Sequence, residues 1–163
     1  MLYRILQFFR AALARIHRHE YDLVEQHLAS AQAALFRRMP RCDQRHSLDV
    51  LYTLQRAGHQ DKTLIQAALL HDVGKTRGQL TILHRVAVVL LQRFAPDWLA
   101  RLAADGEGWK APFAVHAQHP QIGATRAADA GCSQETIDLI HRHHETHPED
   151  TMLAALQWAD RQN

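Results

Sequence analysis

The segment AALLHDVGKT, residues 67–76, ends an apolar run with side chains that can do chemistry. His71 and Asp72 are adjacent and offer an imidazole nitrogen and a carboxylate, both of which bind metal ions in proteins. Lys75 follows about one helical turn later and is a natural phosphate contact, although a lysine at a helix C-terminus also interacts favourably with the helix dipole. The segment therefore indicates either a helix with an ordinary cap or a helix whose last turn is part of a metal site.

Histidine is abundant along the whole chain and accounts for 13 of the 163 residues. It is the commonest metal ligand and the commonest acid–base residue near neutral pH. The composition therefore favours a metal site or acid–base chemistry, without indicating which histidines take part.

Helical spacing places several ionisable residues on the same faces as apolar residues. His46 lies four residues before Val50, and Asp160 lies four residues after Leu156, so each pair shares one helix face. The same relation to apolar neighbours holds for His71, Asp72, His143 and His144. A single inward histidine is explained by a hydrogen bond in the core. Unpaired buried carboxylates are costly, so a converging set of histidines and carboxylates indicates a bound metal.

The elements that carry these residues are predicted to be helices. No stretch alternates with period two, and glycine and proline fall where helices should stop. We therefore expect an all-α fold with helices at about 2–17, 21–38, 44–57, 62–72, 80–94, 97–104, 111–118, 120–130, 134–146 and 150–162. The predicted N-caps are Asp43, Asp61, Ser133 and Asp150, and the predicted C-terminal glycines are Gly58, Gly74 and Gly131. Residues 1–40 are expected to be packing helices of the same single domain as residues 41–163.

The order of His46, His71–Asp72 and Asp160 resembles the H…HD…D signature of the HD-domain metal-dependent phosphohydrolase superfamily, which consists of all-helical proteins with one or two bound metals. HDVGK is close to the HD-x-GK form of that family. HPQIGA (119–124) and IHRHHE (140–145) resemble segments of the HD-GYP-like branch, in which extra histidines bind a second metal. The resemblance runs from about residue 43 to 161.

This resemblance implies a set of metal ligands. It implies a first metal bound by His46, His71, Asp72 and Asp160, and a second ion that Asp72 bridges to and that is held by His119, His143 and His144. One or two divalent ions are implied, and mixed imidazole and carboxylate ligands suit iron, manganese or zinc. His116 lies three residues before His119, and either could be the ligand. We favour His119, because Pro120 is expected to start the next helix directly after it.

The chain also departs from the HD-GYP-like pattern. It reads THPEDTM after HHE, where that branch has a Gly-Tyr-Pro element, so recognition of the cyclic dinucleotide typical of that branch is not expected. The interval between Asp72 and His119 is expected to contain a helical insert at about 76–115 that forms a lid or wall over the site, or a homodimer face. Within it, Arg85 is a candidate contact for an anionic substrate, with a solvated arginine as the alternative.

We expect a metal-dependent phosphohydrolase, a phosphomonoesterase or phosphodiesterase, that acts on a nucleotide or related phosphoester through metal-activated water. The predicted catalytic residues are Asp72, Lys75 and Arg85. The metal ions, Lys75 and Arg85 are expected to stabilise charge on the phosphoryl oxygens. His119 or His143 is the predicted proton donor to the leaving oxygen. Two alternatives stay open: a di-iron oxygenase of the HD fold, and a non-catalytic HD-fold sensor or scaffold.

The composition of the chain limits the classes of binding partner that we expect for the protein. The net charge of +2 gives no sign of a polybasic nucleic-acid surface. Arg4, Arg10 and Arg15 interrupt the apolar N-terminal segment, which argues against a signal peptide or a membrane span. Cys42 and Cys132 fit no disulfide or CxxC pattern. We therefore expect a cytoplasmic protein with a small phosphorylated substrate and with neither a specific nucleic acid nor a membrane as a partner.

Overall fold

The computed structural model describes residues 15–77 and 82–163. Within these ranges the chain forms α-helices and two short 3₁₀ segments, and no strand. The α-helices are α1 (Arg18–His27), α2 (Ser30–Arg38), α3 (Arg41–Arg56), α4 (Lys62–Leu70), α5 (Ile82–Phe94), α6 (Pro96–Asp105), α7 (Ala111–Asp129), α8 (Gln134–Arg142) and α9 (Thr151–Gln162). The 3₁₀ segments are Val73–Arg77, called the 3₁₀ turn below, and Gly108–Lys110. The predicted all-α single domain is confirmed, and most of the helix predicted at 2–17 lies outside the described residues.

Local sequence signals account for most helix starts. The side chains of Asp61, Ser133 and Asp150 accept hydrogen bonds from backbone N–H groups in the first turns of α4, α8 and α9, as predicted. The prediction for Asp43 was wrong, because α3 begins at Arg41, directly after Pro40. Proline fixes φ at a helix-compatible value and can precede the first turn. Asp43 therefore lies inside that turn, where it is buried and a negative charge is favourable.

The helix expected over 134–146 ends at Arg142, and two other stretches are divided into helices differently from the prediction. The helix expected over 21–38 is broken at Leu28, whose backbone is extended. The side chain of Gln66, on α4, donates to the His27 carbonyl at 2.9 Å, and the Gln32 side chain accepts from the Ala29 N–H. These bonds satisfy backbone groups that the break exposes. The helices expected at 111–118 and 120–130 are instead one helix, α7, which continues through Pro120.

The core lies where α3, α4, α8 and α9 meet. Its largest fully buried apolar side chains on these helices are Leu48, Leu51, Leu54, Leu64, Leu69, Leu70, Ile140, Leu153 and Leu156. They recur at helical spacing on each element, so each helix turns one apolar stripe toward the others. The same packing fixes the direction of the polar residues at the ends of these stripes.

The 3₁₀ turn packs directly on the backbone of α7. A Cβ atom placed on Gly74 would lie 2.0 Å from the His119 carbonyl oxygen and 2.8 Å from the Gly123 nitrogen. Gly74 was predicted as a helix C-terminal residue, but its main requirement is this close approach. Arg126 donates to the Val73 carbonyl at 3.0 Å and to the Thr76 hydroxyl, which ties the 3₁₀ turn to α7. Residues that follow His71 are thereby held against His119.

The segment between the 3₁₀ turn and α7 contains helices α5 and α6. These two helices contact each other, and both contact α7. Among the described residues here, four large apolar side chains are well exposed: Leu83, Phe94, Trp98 and Trp109. The insert at 76–115, and its role as a lid, wall or homodimer face, stay predictions. Among the described helices, none combines the length and apolarity that crossing a bilayer requires.

Candidate metal centre

Three residues from three helices form the first cluster: His46 on α3, His71 at the end of α4 and Asp160 on α9. One ligand atom from each lies within 4.8 Å of the others. His46 Nε2 lies 2.8 Å from Asp160 Oδ1, and His71 Nε2 lies 3.8 Å from the same oxygen. The apolar stripes of the three helices direct these side chains to one point.

A second cluster consists of His119 on α7 and of His143 and His144, which directly follow α8. The Nε2 atoms of His119 and His143 are 3.1 Å apart. The ring of His144 packs edge-on against that of His119, with centroids 4.8 Å apart. His119 is fully buried and His143 is 4% exposed, whereas His144 is exposed.

Asp72 lies between the two clusters and is 2% exposed. Its Oδ1 is 3.4 Å from His119 Nε2 in the second cluster and 3.7 Å from His71 Nε2 in the first. Its other oxygen, Oδ2, lies 4.0 Å from His46 Nε2 in the first cluster. One carboxylate therefore contacts the ligand atoms of both clusters.

Three of the histidines are oriented in the same way, by a backbone carbonyl three residues earlier. The Nδ1 atoms of His71 and His143 lie 2.9 Å from the Ala68 carbonyl and 2.6 Å from the Ile140 carbonyl. His119 Nδ1 bonds to the His116 carbonyl. A carbonyl can only accept, so each Nδ1 carries the hydrogen. In the neutral ring this leaves Nε2 with a bare lone pair that points into the site.

The surroundings keep two of these rings neutral. Burial, followed by the charge of Lys75, lowers the pKa of His119 to about 2. Burial, followed by the neighbouring His71, lowers the pKa of His143 to about 3. Both rings are therefore uncharged near neutral pH, which is the form that binds metal ions.

Neutral rings in this arrangement fit a metal ion. Two bare Nε2 lone pairs 3.1 Å apart repel each other unless a cation lies between them. Two nitrogens that bind one ion at about 2.1 Å are about 3.0 Å apart at a right angle and about 3.4 Å apart at a tetrahedral angle. His71 Nε2 is also buried and has no hydrogen-bond partner among the described residues, which is costly for a polar atom. The donor chemistry of both clusters therefore suits a divalent cation.

His46 differs from the other rings because it bonds to a carboxylate. Burial acts to lower the pKa of His46, but the hydrogen bond to Asp160 and the charges of Asp160 and Asp72 outweigh it and raise the pKa. His46 Nε2 then carries a hydrogen that it donates to Asp160. Metal binding by this nitrogen requires the loss of that proton.

Lys75 lies beside Asp72, with Nζ 2.6 Å from Oδ2. Burial acts to lower the pKa of Lys75, but the charges of Asp72 and of the buried Asp43 outweigh it and raise the pKa. For Asp72, burial acts to raise the pKa, while Lys75 and His71 hold it well below its usual range. The pair is therefore charged, with Asp43 as a second anion near the ammonium. Sequence reasoning missed Asp43, because it was assigned to a helix cap.

A cleft of about 600 Å³ opens onto the two clusters and is lined by His143, His144 and Asp160 together with residues that the motifs do not include. Arg161 supplies a cation, and its guanidinium donates to the Gln157 side chain at 3.4 Å. Gln92 from α5 and the exposed His147, which has a positive φ of 58°, also line the cleft. The sequence offered one signal for Arg161, namely that it directly follows Asp160.

Two other predictions concern residues near this site. Arg85 belongs to α5, but its side chain lies outside the described part of the structure. Of His116 and His119, the latter supplies its ring to the second cluster. His116 contributes its carbonyl to the His119 ring, and its own ring lies beside that ring with centroids 5.5 Å apart. Pro120, which was expected to begin a helix here, lies inside α7 instead.

Among protein families, the family described as HD domain matches the chain over residues 44–162. The matched segment begins inside α3 and ends at the end of α9, so it contains both clusters. Searches of curated proteins and of solved structures found no match.

Proposed function

Because the chain belongs to the HD domain family, most of whose members are metal-dependent hydrolases, we propose that it hydrolyses phosphoesters with the help of bound divalent metal. The proposed substrates are small phosphoesters, with nucleotides as the first class to test. The cleft beside the clusters has a volume that suits such a ligand.

The observation that carries this proposal is that Nε2 atoms without a hydrogen converge near Asp72. His71 and His119 direct Nε2 toward Asp72 Oδ1 at 3.7 and 3.4 Å, and His143 Nε2 lies 3.1 Å from that of His119. A structural hydrogen-bond network would pair these nitrogens with donors. Two buried lone pairs that face one carboxylate, with a third beside them, support a set of ligands for a cation instead.

We assign the first ion to His46, His71, Asp72 and Asp160. The second ion is assigned to the second cluster (His119, His143 and His144), with Asp72 shared between the two. Iron, manganese or zinc suits these ligands better than magnesium, which prefers oxygen. A divalent ion held there would withdraw charge from the phosphoryl group and would make water more acidic.

The chain's own cations are proposed to bind and orient the substrate. Lys75 reaches the site but is paired with Asp72, so its ammonium would be free for a phosphoryl oxygen only if Asp72 were engaged in holding a cation. Arg161 lines the cleft and offers a planar fork that matches phosphate oxygens. Arg85 stays a proposal from the sequence.

The proton for the leaving oxygen is proposed to come from a ring other than His119 or His143. Both rings have a lowered pKa, and their Nδ1 hydrogens are bound to carbonyls. His147 is exposed and lines the same cleft. An imidazole in this position can donate a proton to a departing alkoxide.

The test combines metal content with a substrate screen. Protein purified without added metal is analysed for its elements, stripped with a chelator, and reloaded separately with Mn²⁺, Fe²⁺ or Zn²⁺. Each form is assayed on phosphomonoesters and phosphodiesters that include nucleotides. We expect hydrolysis that disappears on stripping and returns with one of the ions. A metal-replete protein that hydrolyses none of them would overturn the proposal.

The same protein preparations also distinguish a hydrolase from the two alternative functions. A di-iron oxygenase would hold iron as purified and would change its optical spectrum when oxygen is added. A non-catalytic sensor or scaffold would keep its partner binding in the Asp72→Ala variant, which would abolish turnover in an enzyme.

A further inference from the structure

We propose that Pro120 is a positioning residue of the metal centre: by removing the backbone N–H at position 120, it gives the His116 carbonyl to the His119 ring. The inference rests on the proposed function, since it takes His119 as a metal ligand. Pro120 is not proposed as a metal ligand. Its position inside α7 is unusual for proline, and the proposed role explains it.

The backbone argument starts from the helix. In an α-helix the N–H of each residue donates to the carbonyl four residues earlier. For position 120 that carbonyl belongs to His116. Proline has no N–H and normally disrupts a helix interior, yet α7 runs without a break from Ala111 to Asp129. The regular backbone donor to the His116 carbonyl therefore does not exist.

The His119 ring supplies a hydrogen bond to that carbonyl, through Nδ1. The bond fixes both the rotation of the ring and the position of its hydrogen. As a result Nε2 faces His143 Nε2 at 3.1 Å and Asp72 Oδ1 at 3.4 Å. Without the bond, the ring of His119 could place its hydrogen on Nε2, the form that cannot bind a metal ion there.

The other two similarly oriented histidines explain why proline is needed here. His71 and His143 follow α4 and α8, and they bond to carbonyls of the last turn. Such carbonyls have no later helical N–H to accept from. His119 is the one of these three rings that lies in a helix interior. Pro120 reproduces, in mid-helix, the backbone condition that the other two find at helix ends.

The test uses two substitutions that restore the N–H, Pro120→Ala and Pro120→Gly. Alanine and glycine lie near opposite ends of the helix-propensity scale, so an effect common to both follows the N–H rather than helix stability. Pro96→Ala is the matched control, because Pro96 begins α6 and lines neither cluster. His119→Ala is the reference for the loss of this ligand. Circular dichroism and thermal unfolding check the fold of each variant.

Two measurements are made on each folded protein. Zn²⁺ titration by calorimetry should show about 10–100-fold weaker binding of the second ion in both Pro120 variants, as for the loss of a group that orients a ligand. Pro96→Ala should match the unsubstituted chain. In the metal-free protein, ¹⁵N NMR should show hydrogen on His119 Nδ1, and both Pro120 variants should show some hydrogen on Nε2.

The outcomes separate this inference from the proposed function. If His119→Ala binds Zn²⁺ as the unsubstituted chain does, the assignment of the second ion is wrong. If His119→Ala loses that ion while both Pro120 variants keep full affinity, the role of Pro120 is wrong and the metal centre stands. Hydrogen found on His119 Nε2 in the unsubstituted metal-free protein would also overturn the inference, without any variant.

Discussion

The contact between the 3₁₀ turn and α7 predicts a large effect of one methyl group. In Gly74→Ala the new Cβ would lie 2.0 Å from the His119 carbonyl oxygen, whereas real contacts of this kind are not shorter than about 3.0 Å. Both neighbours are backbone, so no side chain can rotate away. The 3₁₀ turn and α7 must therefore separate by about 1 Å, which moves Asp72 away from His119.

The expected loss of folding stability in Gly74→Ala follows from this overlap. Forcing extra volume into a packed region costs typically about 1–3 kcal/mol, and a clash with backbone belongs at the upper end. A loss of about 3 kcal/mol corresponds to a decrease in melting temperature of roughly 6–12 °C for a chain of this size. The separation should also weaken metal binding, since the two clusters share Asp72.

Gly123→Ala is the matched control, because it adds the same methyl group on the opposite side of the contact. Its Cβ would lie 3.2 Å from Ile140 Cγ2 and 3.4 Å from the Gly74 nitrogen, which small shifts relieve. Alanine also gains up to about 1 kcal/mol of helix propensity over glycine, so the net change should stay within about 1 kcal/mol. Thermal unfolding and Zn²⁺ content are measured for both. If Gly74→Ala has the same melting temperature and Zn²⁺ content as Gly123→Ala, the proposed close contact between Gly74 and the backbone of α7 is wrong.

Three further predictions concern charge in the site. Asp72→Asn should lose both ions while keeping its helical spectrum, because the shared carboxylate is gone; two ions per chain by elemental analysis would contradict this. The pKa of His46 is raised, so the ring holds its proton to higher pH and loses it as the pH rises. Metal affinity should therefore increase as the pH rises above the ordinary histidine pKa of about 6.5, with proton release seen by calorimetry in different buffers; a pH-independent affinity would exclude His46 as a ligand. Arg161→Gln should raise KM for a phosphoester about tenfold with kcat retained, the loss of one charged hydrogen bond. Arg37→Gln, which removes an exposed ion pair with Glu25, should leave both constants unchanged.

Much of the candidate site could be predicted because helical periodicity links each polar residue to an apolar stripe. His46 shares a face with Val50, and Asp160 shares one with Leu156; both apolar residues are fully buried. Once those stripes form one core, the polar residues must converge at its edge. Their roles as ligands stay predictions, but their proximity follows from packing alone.

Features that depend on contacts between distant segments could not be predicted. The break at Leu28 has no glycine or proline to mark it, and it is supported by Gln66, 39 residues away from the His27 carbonyl that it binds. Pro120 gave the opposite error, because a strong local signal for a helix start was overridden by packing of α7 against the 3₁₀ turn and α8. The sequence marked Arg161 only by its position after Asp160, and the cleft is what shows the surface that Arg161 lines.

The helix ends at the site also suggest an order of binding. His71 and His143 directly follow α4 and α8, so the C-terminal ends of two helices point toward the clusters. Each such end carries a partial negative charge equivalent to about half an electron, in addition to the carboxylates of Asp72 and Asp160. Before metal is bound, this field attracts cations and repels phosphate. The protein should therefore load its metal first and accept an anionic substrate only afterwards, so that a metal-free molecule does not hold substrate unproductively.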